Sequence, residues 1–107
     1  MNLTFDNPKH KALVNDSVAL SKKFRADADE ILAAVEVLRA ANCLSDVPRS
    51  YRPHPLKAEY KGCFAIDVTK THRVIFKPDH EGDPSYRIDN YKSITSVTIV
   101  EIYKDYH

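Results

Sequence analysis

Hydrophobic and polar residues change their spacing twice along this chain. Residues 2–5, NLTF, alternate and predict a short strand. From Pro8 the spacing turns helical. Leu13, Val14, Val18, Leu20 and Phe24 recur through KALVNDSVALSKKF, with Asn7 as cap and Pro8 at the first helical position. Asn15, Asp16 and Ser17 are a candidate interruption. A second helix runs through ADADEILAAVEVLRAAN. Ile31, Leu32, Val35 and Leu38 share one side, Asp27, Asp29 and Glu30 sit where the helix dipole favours acids, and Asn42 is the expected stop.

After Asn42 no helix can continue, because Pro48, Pro53 and Pro55 fall within eight residues. Alternation then returns. In CFAIDVT, Phe64, Ile66 and Val68 share a face. In HRVIFK, Val74 and Phe76 lie opposite Arg73, Ile75 and Lys77. The link KT has hairpin length. Residues 78–93, PDHEGDPSYRIDNYKS, read as an exposed excursion, and the β-branched run ITSVTIVEIYKDY reads as the last strand. The order β-α-α-β-β-β predicts one α+β domain over residues 1–107, a helical hairpin packed on a small, mostly antiparallel sheet.

Charge changes this picture. The formal net charge is only +1, yet residues 47–77 hold seven basic side chains and two acidic ones. A basic middle third points to a phosphate-bearing partner, although a solvated basic loop has the same composition. The cations of interest are Arg49, Arg52, Lys57, Lys61, Lys70, Arg73 and Lys77. The two cysteines match no C-x-x-C motif and are expected to be reduced, as in the cytoplasm. No segment reads as a signal peptide or reaches the roughly 18 apolar residues of a membrane span. The five histidines show no metal-ligand spacing, so neither a metal nor another cofactor is expected. With two glycines, no glycine loop can cradle a nucleotide's phosphates.

Two groups remain for chemistry. One is RPHPLKAEYKG, residues 52–62. The other is the closing KDYH, with Asp105, Tyr106 and His107. If the last strand pairs inside the sheet, its end could stand over the loop that carries His54, with Arg73 between. Such a set suits metal-free cleavage of RNA. A histidine removes the 2′-OH proton, cations stabilise the phosphorane, and an acid protonates the departing 5′-oxygen. Each residue also has an ordinary reading: His54 as a loop hydrogen-bonder, Arg73 as a strand arginine, Tyr106 as a strand aromatic, Asp105 as a turn acid. His10, His72 and His80 are given no role.

The run RPHPLKAEYKGCFAIDVTKTHRVIFKP, followed by VEIYKDYH, resembles the RelE-superfamily toxins of toxin–antitoxin systems, and within them the HigB-like branch. The resemblance rests on His54 in HPLK, Gly62, the strand AIDV, Arg73 in HRVIF and the closing DYH. It implies a ribosome-dependent mRNA endonuclease (an mRNA interferase) that cuts in the ribosomal A site without metal. His54 and His107 would then be the acid/base pair, Asp105 and Tyr106 orienting or phosphate-contacting residues, and Arg73 and Lys57 the cations at the transition state. It also implies a small helix-turn-helix antitoxin as partner. The chain departs from that pattern in its acidic excursion at 79–93, in Ala58 where a glycine is common, and in His72 where an aromatic is often found. Two other functions stay open: a ParE-like gyrase poison, whose relatives generally lack the closing Asp-Tyr-His, and an inactive antitoxin-binding module.

Overall fold

The computed structural model describes residues 1–105. Its strands are β1 (Asn2–Phe5), β2 (His54–Pro55), β3 (Phe64–Asp67), β4 (His72–Pro78) and β5 (Ser96–Asp105), and its helices are α1 (Pro8–Val14), α2 (Ser17–Phe24) and α3 (Ala28–Ala40). The strands form one sheet in the order β1-β5-β4-β3-β2. Three of the pairings are antiparallel, and β1 runs parallel to β5. The α+β class and the mostly antiparallel sheet are as the sequence predicts.

The helical region differs in one respect. The interruption at residues 15–17 is a full break, because the Asp16 side chain accepts the Ala19 amide and starts α2 afresh. Asn7 caps α1 through the Lys9 amide, with Pro8 behind it. α3 ends at Ala40, with Ala41 already extended, so Asn42 lies beyond the helix.

The core fills the space between α3 and one face of the sheet. Ile31, Val35 and Leu38 from α3 meet Phe64, Ile66, Val74, Phe76, Val97, Ile99 and Ile102, all essentially buried. Phe64 stacks on Phe76 at 6.1 Å between centroids and meets the edge of Tyr91 at 5.3 Å. The strand period of two sends the alternate residues to the opposite face. There Ala65 and Ile75 are buried but stand apart from the helix-side core.

One loop departs from expectation, and the excursion that follows β4 is mostly exposed, as the sequence predicts. The turn between β3 and β4 occupies residues 68–71, not two residues, since the Thr69 hydroxyl accepts the amides of Thr71 and His72 and holds a wider turn. The excursion at 79–93 is pinned at its base by His80. Its Nε2 accepts the amides of Thr95 and Ser96 at 3.0 and 3.2 Å, its Nδ1 meets Asp83 at 3.1 Å, and its ring stacks on Tyr86. Asp83 in turn accepts from Ser85, whose hydrogen bonds hold that carboxyl below its usual range. His80 is thus a fastener at the base of this loop.

Candidate active site on the open face of the sheet

The register of the sheet decides what meets on the face away from the helices. His54 on β2 pairs with Ala65 on β3, Ala65 with Ile75 on β4, and Ile75 with Glu101 on β5. One step along, Asp67 pairs with Arg73, and Arg73 with Lys104. Directly paired residues share a face, so these two rows lie side by side. His54 and Arg73 stand two strands apart, a span of roughly 10 Å at the usual spacing. Ala65 offers only a methyl between them.

Arg73 closes that span. Its Nη1 donates to His54 Nε2 at 2.9 Å. On its other side His54 Nδ1 lies 2.6 Å from the carbonyl oxygen of Arg52. A carbonyl only accepts and a guanidinium only donates, so the proton sits on Nδ1 and the lone pair on Nε2. Arg52 aims its carbonyl by adopting a left-handed backbone, φ 52° and ψ 55°. That conformation is costly for a residue with a Cβ, and here it fixes the imidazole of a candidate site.

Asp67 completes the group. Its Oδ1 lies 3.3 Å from Arg73 Nε and its Oδ2 lies 3.7 Å from Arg52 Nη1. The Arg73 side chain is only 10% exposed, whereas that of Arg52 is 67% exposed. One guanidinium is therefore held within the sheet face and the other reaches into solvent. Asp67 was missed in the sequence, although the alternation of CFAIDVT already placed it on Arg73's side of the sheet.

Next to this group lies a groove of about 500 Å³, bordered by Lys57, Tyr60, Ile75, Lys104 and Asp105. The structure thus brings His54, Arg73, Lys57 and Asp105 to one region, and adds Lys104. Asp105 ends β5 opposite His72. Tyr106 and His107 lie outside the described residues. The end of β5 borders the same groove as residues 55–60 of the loop that follows His54. β5 sits between β1 and β4, so its end stands beside Arg73's strand, and His54 is reached across β3 and β4. Arg49, Arg52, Lys61, Lys70 and Lys77 are all exposed. Among the described residues no set of three metal-ligating side chains converges.

Beside the site, the His72 ring stacks on Tyr103 at 3.9 Å and 4°. This imidazole packs as an aromatic ring would. Tyr103 also packs on Phe24 and donates its hydroxyl to Asp27, which pushes the phenol up to about 12. A larger groove, about 760 Å³, opens between the excursion and the β3 edge, along Cys63, Phe64, Ile88 and Tyr91. It contains none of the candidate chemistry. Cys43 and Cys63 are free, and burial pushes the Cys63 thiol up.

No family model and no curated protein matches the sequence. Solved structures do. A chain of the YoeB–YefM complex from Staphylococcus aureus is similar over 100% of this chain and 97% of its own, with a TM-score of 0.56 at 15% identity. A YoeB/ParE toxin from Agrobacterium tumefaciens is similar over the full length of both chains, with a TM-score of 0.55 at 14% identity. The chain has the YoeB/ParE toxin fold. Within that fold, the His54–Arg73–Asp67 group occupies the sheet face that α3 leaves open. No helix among the described residues is long and apolar enough to cross a membrane.

Proposed function

We propose that this protein is the toxin of a toxin–antitoxin pair and an endoribonuclease of the HigB-like branch, cutting mRNA in the ribosomal A site. The observation that carries the reading is the histidine lone pair presented next to a held guanidinium on the open face of a toxin fold. In the proposed reaction His54 Nε2 takes the proton of the ribose 2′-OH. The 2′-oxygen then attacks phosphorus in line and displaces the 5′-oxygen, leaving a 2′,3′-cyclic phosphate. Arg73, with Lys57 and Lys104, balances the charge that gathers on the phosphoryl oxygens. The 5′-oxygen leaves with a proton, for which His107 and Tyr106 are the candidates, and Asp105 orients them. Arg73 sits on His54 Nε2 at rest, so it must pass from imidazole to phosphate as substrate enters. Arg49, Arg52, Lys61, Lys70 and Lys77 would face the ribosomal RNA, an electrostatic attraction weakened by salt.

The partner in this reading is an antitoxin with a helix-turn-helix part that binds DNA; the staphylococcal neighbour was itself solved as a YoeB–YefM complex. Inducing the chain alone in bacteria and mapping mRNA 5′ ends by primer extension tests the reading. Growth arrest with cuts inside translated frames, both abolished in a His54→Ala/Arg73→Ala double variant, is the expected result. The second solved neighbour bears the ParE name, which keeps gyrase poisoning as the competing reading. Arrest without cuts, together with inhibited supercoiling by the purified chain, would establish that one instead.

A further inference from the structure

The groove beside the His54–Arg73 pair holds two side chains that the reaction above does not use. Tyr60 is half-buried on its wall. Tyr51, Tyr86, Tyr91 and Tyr103 all pack against the core, and the last three also pair with another ring. Among the described residues Tyr60 does neither. Glu59, exposed on the same wall, enters no ion pair among them. Lys57 and Lys104 border the same space. Its volume of about 500 Å³ falls in the range of small-molecule sites, roughly 300–1,000 Å³.

We propose that this groove is a nucleobase subsite, with Tyr60 as the stacking platform, Glu59 as the reader of the base edge, and guanine as the base it selects. An unpaired aromatic ring on a groove wall offers a face to any base. The carboxylate adds the choice. Guanine presents two adjacent donors, N1–H and N2–H, which match two carboxylate oxygens. Adenine and cytosine each set a ring-nitrogen acceptor beside their amino group, and uracil flanks its one N–H with two carbonyls. Each of these turns a lone pair toward Glu59. Lys57 and Lys104 would hold the nucleotide's phosphate. Ala58, between Lys57 and Glu59, has a left-handed backbone at φ 56°, so the wall is a shaped turn.

The place of this subsite beside a scissile phosphate rests on the nuclease reading, but its binding does not. The test is a titration of the ¹⁵N-labelled protein with the 3′-monophosphates of guanosine, adenosine, cytidine and uridine, and with inorganic phosphate. Saturable shifts at Glu59, Tyr60, Ile75 and Lys104 are expected, with guanosine preferred about tenfold. Tyr60→Leu should weaken all four nucleotides about tenfold. Glu59→Gln, an isosteric change at the surface, should erase the preference for guanosine. Equal shifts from inorganic phosphate, or none at these amides, would overturn the subsite. The four-nucleotide comparison on the unmodified protein decides the matter even if a variant fails to fold. Guanosine selectivity without cuts in translated messages sinks the nuclease reading alone. Cuts without guanosine selectivity sink the subsite alone.

Discussion

Nη1 of Arg73 stands 2.9 Å from Nε2 of His54, although the two residues lie on strands separated by β3. This contact joins a lone pair that can take a proton to a cation that can take a phosphate. Removing either partner should therefore cost catalysis more than stability. Arg73→Ala is expected to lower the rate of mRNA cutting on programmed ribosomes by roughly 10²–10³-fold, and His54→Ala by roughly 10²–10⁴-fold. Quantitative primer extension measures both. Cutting within a few-fold of wild type in either variant would move the chemistry elsewhere.

The contact depends on Ala65. This residue is fully buried between His54 and Ile75 in the cross-strand row. Ala65→Leu drives a larger side chain between the pair and overpacks the face, at a cost of about 1–3 kcal/mol in urea unfolding. Ala65→Ser is the control that keeps the space. The Leu variant should lose most cutting while still folded, and the Ser variant should keep it. Equal activity in the two would show that the pair need not meet.

Arg52 separates backbone from side chain. Its left-handed backbone aims the carbonyl at His54, and its guanidinium lies in solvent near Asp67. Glycine tolerates that backbone without strain, so Arg52→Gly should preserve the His54 tautomer and leave stability unchanged or higher by up to about 1 kcal/mol. The lost charge should appear in ribosome binding, as a salt dependence shallower by about one phosphate contact. Nitrogen chemical shifts of the imidazole report the tautomer. A tautomer change in Arg52→Gly would mean that the side chain, not the carbonyl, sets it.

Tyr103 ties β5 to the start of α3 through Asp27. The phenol is pushed up to about 12 in the fold, first by this hydrogen bond, from an ordinary value of 10.0. A group raised on folding contributes stability that is complete below its unfolded value and lost as pH rises through its folded one. Wild type should therefore lose more stability than Tyr103→Phe between about pH 10 and pH 12, and the two curves should converge at the alkaline end. At neutral pH the Phe variant should be less stable by about 1 kcal/mol, the worth of a partly exposed hydrogen bond to a carboxylate. Parallel pH profiles in thermal melts would rule out the Asp27 contact as the cause.

The sequence by itself determined most of the architecture. Alternation in CFAIDVT and HRVIFK fixed which side chains enter the core and which face away, because a strand's period of two leaves no other choice. Asn7-Pro8 marked a helix start, since the Asn7 side chain satisfies one of the first free amides, whereas residues 15–17 read only as an interruption until the structure showed Asp16 capping a new helix. The basic middle third and the two groups around His54 and Asp105 were legible as residue types. The tertiary structure decided what those types do. Strand order put β5 between β1 and β4, so the chain's last described residues came to stand beside Arg73's strand, with His54 further off. Register placed Asp67 opposite Arg73 and let Ala65 leave room for His54, which no local pattern encodes because the partners lie on different strands. The tautomer of His54 was settled only by where one carbonyl and one guanidinium point, and those directions exist only once the sheet has formed.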